Sequence, residues 1–119
     1  MIPRRFPRHA QRLLGGYAQS AGSPPSEHDT VALNISEDGC TLLTGDRLEP
    51  VRTRITLCLQ LPSNHRVELI AEIIWSKPPQ VSPAGTLIVP GMMGVQYTGE
   101  LPVEYRALLA GLAAGSDGP

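Results

Sequence analysis

Two clusters of polar residues have the types and spacing to recognise a planar, acceptor-rich ligand. Arg4-Arg5-Phe6-Pro7-Arg8 has the form Arg-x-x-x-Arg, and Asn34-Ile35-Ser36-Glu37-Asp38-Gly39 has the form (Asp/Asn)-x-Ser-x-x-Gly. A guanidinium fork meets two acceptors at once, as on the O6/N7 edge of guanine or on a phosphate, where a lysine offers only a point charge. Asn34 can accept from guanine N–H groups, Ser36 can donate to a phosphate oxygen, and Gly39 leaves room for close approach to the main chain. This is the chemistry of recognition without a reaction. Taken singly, each cluster has a plainer reading. A run of arginines is commonly a solvated arm, and residues 34–39 also fit a strand end whose Asn and Ser bond local backbone in a turn. Asn34-Ile35-Ser36 matches an N-glycosylation acceptor as well, a meaning that requires a secretory route.

The distribution of charge favours an anionic ligand at the amino-terminal arm. The 119 residues carry a formal charge of −1, yet Arg4, Arg5, Arg8 and Arg12 precede the first acid, Glu27. Length allows one domain with one core, and with 41% hydrophobic but only 4% aromatic residues that core must rest on Leu, Ile, Val and Ala. No apolar run approaches the roughly 20 residues that span a bilayer, and the amino terminus lacks a signal-like apolar stretch, so a cytoplasmic protein without membrane insertion is expected. Cys40 and Cys58 lack a C-x-x-C spacing and read as buried or strand-surface thiols. His9, His28 and His65 have no metal-ligand spacing and no link to a nucleophile, so neither a metal site nor an enzyme is expected. Nucleic acid suits the chain less well than one small dinucleotide, because no series of aromatic residues accompanies the arginines.

Positioning falls to strands. Pro3 and Pro7 bias the opening toward extended backbone, giving a flexible arm over residues 1–12. A short first strand holds Leu13, Leu14 and Tyr17, and residues 20–29 have loop composition. From Thr30, alternation puts Val31, Leu33 and Ile35 on the core face, and therefore Asn34 and Ser36 side by side on the outer face. Ile55, Leu57, Leu59 and Leu61, then Val67, Leu69, Ala71, Ile73 and Trp75, alternate on either side of Pro62-Ser63-Asn64 and predict a hairpin. The proline-rich segment 77–91 contains Thr86-Leu87-Ile88-Val89, compatible with a strand or with a long excursion. Met93 to Tyr97 reads as a last strand. Pro102 then opens a helix with Tyr105, Leu108, Leu109 and Leu112 along one stripe, ended by Gly115. The fold class expected is mainly β: a small antiparallel barrel of about six strands with a carboxyl-terminal helix, spanning residues 13–113 and followed by a disordered tail over 114–119.

Both motifs, in this order and ahead of this strand pattern, resemble the PilZ domain family of bacterial cyclic di-GMP receptors. The likeness extends to the Leu61-Pro62 strand end, to Ile73-Ile74-Trp75, and to Gly94-Val95-Gln96-Tyr97, which is similar to the family's Gly-Val-Gln-Phe strand. It implies that Arg4, Arg5 and Arg8 meet the ligand's guanines and phosphates while Asn34, Ser36 and Gly39 take the opposite side. Trp75 lies near the ligand in some members; here the alternation equally allows a core or barrel-rim tryptophan. The second motif begins with Asn where Asp is common. Pro3 stands where some members carry another arginine, which implies one ligand per chain. No cofactor is implied beyond cyclic di-GMP. A stand-alone domain would order its arm on binding and signal to a partner protein, with motility, pilus, biofilm or virulence as the output. The alternative is a PilZ-like interaction module that binds no nucleotide.

Overall fold

The computed structural model describes residues 8–19, 28–45 and 48–116, with only the backbone for 114–116. Its strands are β1 (Leu13–Ala18), β2 (His28–Leu33), β3 (Gly39–Gly45), β4 (Arg54–Gln60), β5 (Arg66–Lys77), β6 (Gln80–Val81), β7 (Leu87–Val89) and β8 (Gly91–Tyr97), followed by helix α1 (Val103–Ser116). Six of them close an antiparallel barrel in the order β1-β2-β3-β8-β5-β4, with β1 returning to β4. The expected hairpin is β4–β5, in register from Arg54 opposite Glu72 to Gln60 opposite Arg66. Its turn is closed by the Asn64 N–H donating to the Leu61 carbonyl at 2.9 Å, with Asn64 at φ 70°. The uncertain segment is an excursion that contains strands: β6 pairs with β7 as a separate two-stranded sheet.

The core is aliphatic, as the composition requires. Ile55, Leu57 and Leu59 from β4 and Val67, Leu69, Ala71 and Ile73 from β5 fill the barrel, joined by Leu42 and Met93. Each Leu, Ile or Val buried there contributes about 1.5–3 kcal/mol. Tyr105 and Leu109 of α1 are buried in the same cluster, while Leu108 and Leu112 lie half-buried against it, so the helix stripe plugs the barrel. The helix passes through Gly115 to Ser116, so residues 114–116 of the expected disordered tail are helical.

The face assignment in β2 is reversed. Thr30 and Ala32 point inward, whereas Val31 and Leu33 are only half-buried. Ala32 lies opposite Leu42, and the larger partner fills the volume that alanine leaves. Thr30 is tolerated inside because its hydroxyl donates to the Leu43 carbonyl at 2.8 Å. The alternation then breaks at Asn34, whose φ of 52° lies in the left-handed region that asparagine tolerates. After this reversal Ile35 and Ser36 are both fully buried, so Asn34 and Ser36 do not project together.

Gly39 holds no positive φ; it is needed for proximity. A Cβ there would come within 2.0 Å of the Val95 carbonyl oxygen on β8. Gly39→Ala should therefore lower unfolding free energy by about 3 kcal/mol, the upper part of the range for overpacking a rigid interior. Urea unfolding followed by circular dichroism measures it, and a loss below about 1 kcal/mol would show that β3 and β8 can separate cheaply.

Candidate ligand site

The reversed peptide at Asn34 turns its side chain to solvent and offers its carbonyl to the arm. Arg8 Nη1 donates to that oxygen at 3.2 Å, and Arg8 Nη2 lies 3.9 Å from Asp38 Oδ1. Arg8 Nε is buried and has no acceptor among the described residues. His9 and Ile35 form an isolated bridge, so the base of the arm is already attached to the barrel. Arg4 and Arg5, and Pro3 with them, lie outside the described residues.

Ser36 sits beneath this surface. Its hydroxyl contacts the Asp38 carboxylate, lies 3.2 Å from the Gly39 carbonyl, and accepts from the Asp38 N–H at 3.3 Å. The Ser36 N–H donates to the same Gly39 carbonyl at 2.9 Å, which closes the turn. Ser36 is thus 0% exposed and bonded within the turn, and Gly39 is covered by β8. Of the turn reading of residues 34–39, the local bonds are present for Ser36, whereas the Asn34 side chain is exposed.

Trp75 completes the site through a bulge. Ile73 pairs with Val95 but Trp75 pairs with Gly94, so two steps on β5 match one on β8 and the in–out alternation ends. Ile73 stays in the core, while Ile74 and Trp75 are both exposed, Trp75 by 41%. The indole lies directly on Gly94, where a Cβ would approach Trp75 Nε1 to 1.9 Å. A cavity of about 280 Å³ results, lined by Arg8, Asn34, Cys40, Thr41, Ile74, Trp75, Gly94 and Val95. Arg8, Asn34 and Trp75, far apart in the chain, therefore share one cavity; Ser36 and Gly39 support it from behind. Thr41 and Gly94 were missed. Their signal was the pairing of β3 with β8, which sets them opposite each other and is invisible before the barrel closes.

Behind the cavity, burial keeps three groups protonated. Burial pushes the Cys40 thiol up to about 12, against the opposing effect of its hydrogen bond with Tyr97. Burial chiefly also raises Tyr97 and Tyr105 above the ordinary tyrosine range. Their hydroxyls are 2.6 Å apart with the rings edge to face, and the Tyr105 hydroxyl donates to the Ser36 carbonyl at 3.0 Å. Among the described residues no three His, Cys, Asp or Glu side chains gather to hold a metal ion. No helix among them is long and apolar enough to cross a membrane. A guanidinium, an amide and an open indole face around one cavity can hold a flat heterocycle: the indole by stacking, worth about 1–3 kcal/mol per base, and the polar groups by its edge.

Residues 3–115 match the family model of the PilZ domain. The fold is similar to that of the inhibitor of motility MotI/DgrA from Bacillus subtilis, with a TM-score of 0.72 and 18% identity over 98% of this chain and 52% of that one. This chain therefore spans about half of that protein's length. It is also similar to the PilZ domain of YcgR from Escherichia coli, whose structure was solved with c-di-GMP; the TM-score is 0.59 and the identity 12%, over 95% of this chain and 93% of that one. No curated protein matches the chain.

Two measurements test the site's construction. Trp75 is the chain's single tryptophan, so its fluorescence reports its seating directly. Gly94→Ala should lift the indole off β8 and shift its emission to the red, and an unchanged spectrum would mean that the ring does not rest on Gly94. Cys40 supplies a pH test. A thiol whose folded value is raised binds its proton more tightly in the folded state, so its stabilising effect is complete below the unfolded value of 9.0 and is lost as pH rises toward 12. Unfolding free energy should fall across that window, and Cys40→Ser should flatten the slope. An equally steep slope in the variant would assign the effect to other groups.

Proposed function

The chain belongs to the PilZ domain family, and from that premise we propose that it is a receptor for cyclic di-GMP that reports ligand occupancy to a partner protein. The observation that carries the reading is the convergence of Arg8, Asn34 and Trp75 on one cavity, with Arg8 Nε still lacking an acceptor among the described residues. Guanine stacks on the Trp75 face, and Asn34 accepts from its N–H groups. Arg8 exchanges its bond to the Asn34 carbonyl for the O6/N7 edge or a phosphate oxygen, a charge-assisted contact stronger than the one it leaves.

Arg4 and Arg5 belong to the same proposal as further ligand contacts on the arm of residues 1–12, and Pro3 suits one ligand per chain. Ser36 and Gly39 act by holding the turn and not by touching the ligand. The protein binds and releases without reaction, in the cytoplasm, and its output is a changed surface. The c-di-GMP named with YcgR and the motility named with MotI/DgrA support this ligand and a motility output.

Calorimetric titration with cyclic di-GMP, with GMP and cyclic di-AMP as controls, tests the reading. The expected dissociation constant is about micromolar or tighter. Arg8→Ala should weaken it by about 1–3 kcal/mol, as for one bidentate arginine–guanine pair, with the fold intact by circular dichroism. No heat with cyclic di-GMP would select a PilZ interaction module that binds no nucleotide, and undiminished affinity in Arg8→Ala would move the ligand away from this cavity.

A further inference from the structure

Three successive carbonyl oxygens in the second motif accept hydrogen bonds from two different parts of the chain. Asn34 O takes Arg8 Nη1 at 3.2 Å and Ile35 O takes the His9 N–H at 2.9 Å, both from the arm. Ser36 O takes the Tyr105 hydroxyl at 3.0 Å, from α1. The segment between these grips is stiff. Ile35 is fully buried and its N–H donates back to His9 O at 3.0 Å, and Ser36 is fully buried in its own turn. A displacement imposed on one side is therefore delivered to the other, since a close-packed interior does not absorb it.

The helix grips the cavity's other wall as well. Tyr105 gives its one hydroxyl hydrogen to Ser36, so in the 2.6 Å contact between the two phenols Tyr97 is the donor and Tyr105 the acceptor. Tyr97 ends β8, two residues after Val95 in the cavity lining, and its N–H donates to the Asp38 carbonyl at 2.9 Å. One side chain of α1 is thus bonded to the turn that carries Asn34 and to the strand on which Trp75 rests.

We propose that Tyr105 is a positioning residue for the ligand site, and that through it α1 is the element that responds to occupancy. The proposal rests on the reading of that cavity as the cyclic di-GMP site. Ligand that draws Arg8 off the Asn34 carbonyl changes the grip on one face of the segment. The Tyr105 bond on the other face tightens or slackens with it. By linkage, whatever restrains α1 must change ligand affinity by the same factor.

Tyr105→Phe removes one oxygen and keeps the ring, which separates the hydroxyl's two bonds, to Ser36 and from Tyr97, from the packing. The cyclic di-GMP dissociation constant should rise about three- to tenfold, the worth of the one bond that reaches the Asn34 turn, though Tyr105 does not line the cavity. In the wild type, hydrogen–deuterium exchange of α1 amides should change on adding cyclic di-GMP, and in Tyr105→Phe that response should be lost. A merely structural role would lower the melting temperature but leave the exchange response in place. Unchanged affinity in the variant, or a wild-type α1 indifferent to ligand, overturns the proposal. If the wild type binds no cyclic di-GMP, the ligand reading itself falls. The grip is then judged without ligand by exchange of the Ile35 and Ser36 amides, which Tyr105→Phe should speed; no change there overturns it too.

Discussion

The seam between β3 and β8 is the constraint on which the rest of the molecule depends. These strands are distant in the sequence, and their pairing brings the second motif against the last strand of the barrel. It is possible only because Gly39 presents no Cβ to the Val95 carbonyl. The same seam sets Thr41 opposite Gly94, and the absence of a side chain at Gly94 is what admits the Trp75 indole. Barrel closure and construction of the cavity therefore depend on one seam. Glycine here serves close approach and not chain flexibility, and a change at either position alters stability and recognition together.

The turn at residues 34–39 divides its labour between two directions. Asn34, in a left-handed conformation, turns outward with its side chain exposed while its carbonyl faces the arm. Ser36, two residues on, faces inward and spends its hydroxyl on Asp38 and Gly39. A buried hydroxyl without partners would cost about 1–3 kcal/mol, so its bonds in the turn are what make its burial tolerable. The motif's residues thus follow two demands: an outward group left exposed at the cavity and an inward group that fixes the angle at which it is held.

How far the sequence could be read follows from which forces are local. The β4–β5 hairpin was legible because its inward residues are large and aliphatic and its outward ones largely are not, and the stripe on α1 was legible because Tyr105 and Leu109 repeat at helical spacing. In β2 the pattern misled. Val31 and Leu33 outrank Thr30 and Ala32 in hydrophobicity, but the partner strand decides the face: Leu42 fills the space opposite Ala32, and Leu43 supplies the acceptor for Thr30. The β-bulge after Ile73 escaped notice for the same reason, since it is defined by two strands and not by one. Asn34 and Trp75 were found as site candidates by residue type and resemblance; Thr41 and Gly94 were found only through register.

The groups behind the cavity are held in fixed protonation states. A nucleophilic thiol must ionise near neutral pH, and Cys40 is held in the opposite state by the burial that raises it to about 12. Tyr97 and Tyr105 are raised for the same reason, so both remain hydroxyl donors throughout the physiological range. The polar chain from Cys40 through Tyr97 and Tyr105 to the Ser36 carbonyl therefore keeps its protons and its direction. Such a chain holds the wall behind the cavity in one protonation state across the neutral range. Against that fixed frame, Arg8 is held at the cavity by one bond to a main-chain carbonyl, and it is this contact that the proposed ligand would replace.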